Sequence, residues 1–274
     1  MPELPDLEAI KEFLQGEIVG LTITRAEVLR PIAVRNFTGG DFETELSGAA
    51  FTAVKRRGKF LILSLDNDRH LVINPMLAGK LYYCPPEERR QARTFLVLGL
   101  SNGRELRYVD QKTMGKVYLS GQLDNVPGLA QQGPEPFDAD LTLELFRQRL
   151  RPFRGEIKGI LTRGKLVAGI GNAYADEILF RAGIYPFRKR PSLSAEEVER
   201  LYHSMRTVLS EATDMVGQRI GSDIHLKVRD FLKVHGKGGE PCPVCGTTIS
   251  EIRARQRLTN FCRRCQPGTL IRGQ

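Results

Sequence analysis

A chain of 274 residues, 41% hydrophobic and 27% charged, is long enough to bury one large core or two modest ones. It has no apolar run near the ~20 residues a membrane helix needs, and Met1-Pro2-Glu3-Leu4-Pro5-Asp6 lacks the basic-then-apolar pattern of a secretory signal. Membrane and secreted classes are set aside in favour of a cytoplasmic protein, and the net charge of +9 points to a polyanionic partner.

In chain order, Leu7, Ile10, Phe13 and Leu14 recur at helical spacing behind Pro5, so residues 6–15 read as a helix. Ahead of it, removal of the initiator methionine from a small residue would make Pro2 a terminal secondary amine. An α-amino group has a pKa near ~8, against ~10.4 for lysine, so part of it is a free nucleophile at neutral pH. Glu3 beside it is a carboxylate suited to proton transfer. The same residues also suit a plain helix start.

From about residue 20 to 120 the texture is short β-like runs. Leu61-Ile62-Leu63-Ser64-Leu65, Leu71-Val72-Ile73, Phe95-Leu96-Val97-Leu98 and Lys116-Val117-Tyr118-Leu119 are separated by turn signals at Asp66-Asn67-Asp68 and Ser101-Asn102-Gly103. The spacing predicts an antiparallel sandwich over residues 1–130. Gly133-Pro134-Glu135-Pro136 then punctuates the chain as a linker.

Residues 131–235 read as a helical domain. Gly169-Ile170-Gly171-Asn172 runs into a helical segment that ends before Gly183; glycines there let backbone N–H groups approach a phosphate, and Asn172 suits the N-cap. A simple tight turn is the other reading. Lys158, upstream of that turn, joins Gly171 and Asn172 among the candidate DNA contacts. Ser194 and Glu197 form a capping box before an apolar stripe of Val198, Leu201, Met205, Val208, Leu209 and Ala212, which is core.

Residues 236–274 form a small module. Cys242-Pro243-Val244-Cys245 and Cys262-Arg263-Arg264-Cys265 are two knuckles 16 residues apart, the pattern of a closed four-thiolate zinc site that is structural rather than catalytic. Cys84 is left over as a plain or semi-exposed thiol. From Arg219 onward there are 11 Lys/Arg against four acids, +7 of the total +9, and Arg253, Arg255 and Arg257 sit on the hairpin that the metal would stiffen. Charge concentrated there suits phosphate contact.

Met1-Pro2-Glu3-Leu4-Pro5, the Gly169-Asn172 turn and the four-cysteine finger, together with Leu106-Arg107-Tyr108 and the Gly133-Pro136 linker, resemble the formamidopyrimidine-DNA glycosylase/endonuclease VIII family over essentially the whole chain. The resemblance implies an α+β multidomain protein: an N-terminal β-sandwich, a helix–two-turns–helix domain and a zinc-finger hairpin, acting as a monomer on damaged double-stranded DNA held between two lobes. It implies a bifunctional glycosylase and abasic-site lyase that flips its target nucleotide from the stack. Pro2 is then the nucleophile and Glu3 the general acid/base. Lys59, in Arg56-Arg57-Gly58-Lys59-Phe60, matches the hairpin lysine near the lesion, and Asn172 and Arg257 match the other phosphate contacts.

The chain departs from the family at several of these positions. Asp6 stands for a glutamate, Asn74 for a histidine, Leu77 for a methionine wedge, Lys112 for an arginine and Met114 for a phenylalanine wedge. Apolar wedges still fill the gap left by a flipped base, whereas lysine lacks arginine's rigid fork. The stretch Met215–His235 looks short beside members that bind 8-oxoguanine well, which favours formamidopyrimidines or oxidised pyrimidines. Two alternatives stand beside the enzyme: a damaged-DNA-binding protein of the same fold that does not cut, and a zinc-ribbon RNA-binding protein.

Overall fold

The first helix, α1 (Leu4–Ile18), is longer than the apolar spacing alone predicts. Pro5 lies in its first turn, where the missing N–H costs nothing, and Glu3 with Asp6 closes a capping box in which the Asp6 carboxylate accepts the Glu3 N–H at 2.7 Å. The computed structural model describes residues 1–254 and 257–268. They fall into two units, Met1–Gln131 with Thr213–Val228, and Gln132–Ala212 with the chain from Arg229 onward.

In the first unit α1 is followed by β1 (Ile23–Val28), β2 (Val34–Asn36), the short α2 (Phe42–Leu46), β3 (Phe51–Arg57), β4 (Phe60–Leu65), β5 (His70–Asn74), β6 (Gly79–Cys84), β7 (Thr94–Leu100), β8 (Glu105–Asp110) and β9 (Lys116–Ser120). They form two sheets, ordered β1-β7-β8-β6 and β2-β9-β5-β4-β3. All pairs are antiparallel except β2 with β9. The four runs read as strands are β4, β5, β7 and β9. Every residue of β8 is buried, and β4 and β7 nearly so, which explains why their sequences are continuous apolar runs rather than alternating ones. Cys84 is buried at the end of β6, not semi-exposed, and burial pushes its thiol up.

The second unit holds α3 (Leu143–Leu150), α4 (Ile157–Thr162), α5 (Asn172–Ala182) and the larger part of α6 (Ala195–Ile220), then the hairpin β10 (Ser250–Ala254) and β11 (Arg257–Phe261). Thr142 caps α3 through its hydroxyl. The Ser194–Glu197 box is present in both directions, at 2.8 and 3.3 Å, and of the apolar stripe on α6 only Val208 is less than buried. Gly133-Pro136 is not a loose connection. Gly133 N–H donates to the Gly164 carbonyl at 2.7 Å, and a Cβ on Gly133 would lie 2.6 Å from the Lys165 carbonyl oxygen. The finger belongs to the same unit as the helices, and Thr213–Val228 to that of the strands.

Candidate active site

Pro2, Glu3 and Asp6 are all buried where α1 begins. The capping box therefore orients two carboxylates immediately beside Pro2, one on each arm of the helix start. Pro2 and Asp6 line a cavity of about 20 Å³ together with Leu61 of β4, Gly79 of β6, and Ile224 and His225 of the segment after α6. His225 stacks on Tyr82, ring centroids 4.3 Å apart and planes 16° from parallel. Burial first, then the nearby Lys80, hold His225 below the usual histidine range.

Lys59 sits in the two-residue turn between β3 and β4. Gly58 supplies the left-handed conformation the turn needs, at φ +57°. Arg56, beside the turn, donates through Nη1 to the Gly58 carbonyl at 3.0 Å and pairs through Nε with Glu8 of α1 at 2.5 Å. The half-buried Lys59 is thus carried on a hairpin anchored to the helix that starts at Pro2.

Two connections, β5–β6 and β8–β9, cross side by side from one sheet to the other. Asn74 pairs with Lys116 in one sheet and Gly79 with Asp110 in the other. Leu77 and Met114 lie on these crossings, and each is 42% exposed, outside the core of either sheet. Each follows a non-glycine residue in the left-handed region, Met76 at φ +46° and Thr113 at φ +57°. Asn74 Oδ1 accepts the Met76 N–H at 3.2 Å, so this residue shapes the first crossing. The fully buried Asp110 shapes the second, accepting N–H bonds from Lys112, Met114 and Gly115 at 2.9, 2.9 and 2.7 Å. The Lys112 side chain is left in solvent. Tyr108 lies beneath both crossings: a Cβ on Gly79 would come within 2.5 Å of its hydroxyl, and one on Gly115 would overlap it.

In the second unit Gly169 (φ +82°) turns the chain into α5. The N-cap is Gly171, and Asn172 is the first helical residue rather than the cap, because its side chain is drawn to the finger. Asn172 Nδ2 donates to the Leu258 carbonyl of β11 at 2.5 Å. Lys158, expected among the DNA contacts, is instead 7% exposed. Its ammonium lies 2.6 Å from Asp176, 2.7 Å from the Leu258 carbonyl and 2.9 Å from the Thr259 hydroxyl, an interior tie. Arg257 opens β11 opposite Ala254. Its side chain, and Arg255, lie outside the described residues.

The four finger sulfurs lie within 4.8 Å of one another, with Cys242 to Cys265 at 3.8 Å and Cys245 to Cys262 at 3.4 Å. These separations exceed a disulfide bond and match the edge of about 3.8 Å of a tetrahedron with Zn–S bonds of ~2.3 Å. The Thr247 hydroxyl and N–H draw the Cys245 thiol down to about 6, while burial pushes Cys262 up and Cys265 up to about 12, as expected where four sulfurs crowd one point. The finger holds one structural zinc, with Cys242, Cys245, Cys262 and Cys265 as its ligands and no position left for chemistry.

Comparison with known proteins bears on all three parts. Residues 1–117 match the formamidopyrimidine-DNA glycosylase N-terminal domain, 132–223 the H2TH domain of the same enzymes, and 239–268 the zinc finger found in them and in isoleucyl-tRNA synthetases. The formamidopyrimidine-DNA glycosylase of Symbiobacterium thermophilum is 41% identical, across 97% of this chain and 90% of that protein. That of Heliobacterium modesticaldum is 38% identical, across 97% and 100%. The chain belongs to the formamidopyrimidine-DNA glycosylase family. A crystal structure of the Lactococcus lactis member with DNA containing Fapy-dG covers 97% of this chain and 100% of that one, at TM-score 0.88 and 32% identity.

As a DNA glycosylase of base excision repair, this family member keeps one contact that its sequence put at risk. Asp6, shorter than the usual glutamate, still reaches the Glu3 N–H. Sequence reasoning named Tyr108 only within a family motif, without its place under the two crossings, and passed over the Tyr82–His225 stack and Asp176 behind the finger. The signal for Tyr108 was present in part, since Gly79 stands two residues and Gly115 one residue after an apolar tip. Among the described residues no helix is long and apolar enough to cross a membrane.

Proposed function

We propose that this glycosylase acts on ring-opened purines, formamidopyrimidines foremost, and cuts the strand through a Schiff base on Pro2. The observation that carries the reading is the buried Pro2 beside two carboxylates oriented by one capping box, at the wall of a cavity. Once Met1 is removed, the neutral amine of Pro2 attacks C1′ of the flipped nucleotide and the bond to the base breaks, the base leaving with a proton. Glu3 protonates O4′ as the sugar opens, leaving an iminium on Pro2. That cation makes the C2′ proton acidic. Its loss expels the 3′ phosphate, and a second elimination expels the 5′ phosphate.

In this reading Lys59, Gly171, Asn172 and Arg257 hold phosphates, Leu77 and Met114 fill the vacated stack, Asn74 sets the first wedge loop, and Lys112 faces the orphan base as a point charge. The enzyme works at the nucleoid in the cytoplasm. The stretch Met215–His235, short beside members that bind 8-oxoguanine well, supports the choice of lesion over 8-oxoguanine.

Single-turnover excision on duplexes carrying formamidopyrimidine, 8-oxoguanine, thymine glycol or an abasic site tests this, with borohydride trapping and a Pro2→Gly control. Formamidopyrimidine is expected to be cleaved fastest, the adduct to form only on chains lacking Met1, and the control to form none. Fastest excision of 8-oxoguanine, or of thymine glycol as an endonuclease VIII-like enzyme would show, overturns the lesion assignment. Undiminished trapping by the control moves the nucleophile to a lysine, and no adduct from the unaltered protein leaves a damaged-DNA binder.

A further inference from the structure

Behind the finger hairpin lies a buried polar cluster that neither the zinc nor the Pro2 chemistry uses. Asp176, in the second turn of α5, is completely buried. Its Oδ1 lies 2.6 Å from the Lys158 ammonium; its Oδ2 lies 2.7 Å from His235 Nδ1 and accepts the backbone N–H of Asn260 in β11 at 3.1 Å. One carboxylate therefore gathers α4, α5, the approach to the finger and the finger itself. Its neighbour Glu177 repeats the device, accepting the N–H groups of Lys233, Val234 and His235 at 2.9, 2.9 and 2.8 Å.

The cluster converges on one peptide. The Leu258 carbonyl receives both Lys158 Nζ and Asn172 Nδ2, and the residue ahead of Leu258 is Arg257. An amide nitrogen carries two hydrogens, so Asn172 can bind Leu258 with one and a phosphate with the other.

We propose that Asp176 is a positioning residue for DNA binding: it locks the finger hairpin to the start of α5, so that Asn172 and the strand that carries Arg257 meet the DNA backbone as one unit. The proposal rests on the phosphate roles given to those two residues above. Asn in place of Asp176 keeps the shape but removes the charge that Lys158 answers, and turns an N–H₂ toward groups that are themselves donors.

The test is the salt dependence of binding to a duplex with an abasic-site analogue, for Asp176→Asn, Lys158→Met, Arg257→Ala and the Asp176→Asn/Arg257→Ala pair. Each phosphate contact contributes a slope of about 0.9 in log K against log salt. Both single variants of the cluster should keep one zinc per chain and yet lose about one from the slope, and adding Arg257→Ala should change nothing more. A slope equal to the unaltered protein's, or a full further loss on adding Arg257→Ala, overturns the proposal; a purely structural role would lower the melting temperature and leave the slope alone. If Asp176→Asn does not retain zinc, His235→Gln, at the more exposed side of the cluster, takes its place under the same readouts. Borohydride trapping of the unaltered protein is run alongside: its failure would strike the Pro2 reading and leave the slopes to decide this one.

Discussion

Tyr108 and the two glycines above it show how little room separates the wedge loops from the sheets that carry them. Adding one methyl group at Gly115 places it on a hydroxyl that is buried among backbone and cannot swing aside. Gly115→Ala is expected to destabilise the first unit by about 1–3 kcal/mol, as overpacking of a filled site does, and to slow excision because Met114 moves with the loop. Denaturant unfolding with single-turnover rates checks this, and an unchanged rate would uncouple the loop from the step. Met76 and Thr113 add to the picture. Each holds a left-handed backbone without being glycine, a conformation costing of order 1 kcal/mol, directly before an exposed apolar tip. The left-handed residues are not visible to pattern reading, since they depend on where Asp110 and Asn74 direct their acceptors rather than on any spacing.

At the scale of elements, helix α1 and the β3–β4 hairpin form the frame that relates Pro2 to Lys59. Their link is the chain Lys11–Glu8–Arg56. Burial works to raise the Glu8 carboxyl, but the hydrogen bonds and charges of Lys11 and Arg56 outweigh it and hold it below its ordinary 4.5. A depressed carboxyl stabilises the fold fully above that ordinary value, and the contribution is lost as pH falls through the lowered one. Glu8→Gln is therefore expected to flatten the acid limb of the stability profile below pH 4.5, while excision at neutral pH changes little; a limb as steep as before would place the acid sensitivity elsewhere. The elements themselves were legible wherever a local signal exists: the four strand runs, the Ser194–Glu197 box, the Cys spacing. Asn172 was misjudged as a cap because its partner, Leu258, lies 86 residues away. The partners of Lys158 were out of reach for the same reason, being 18 to 101 residues distant, where periodicity carries no information.

For the molecule as a whole, the finger is not a separate bead. Its hairpin is bound to α4 and α5 through Lys158, Asn172 and Asp176, and it shares one compact unit with those helices. Removing zinc with a chelator should abolish DNA binding and expose the amides of Thr259 and Asn260 to exchange, while protection in β7 and β8 of the other unit persists; simultaneous loss in both would mean that the units unfold together. The cavity beside Pro2 carries a different consequence. At about 20 Å³ it holds roughly one water molecule and no nucleobase. On the Pro2 reading, a base lodged there displaces Ile224 and His225, and the apparent dissociation constant then equals the intrinsic one divided by the fraction of molecules in which they have moved. The preference of His225 for Tyr82 then enters lesion affinity beside the contacts made to the damaged base.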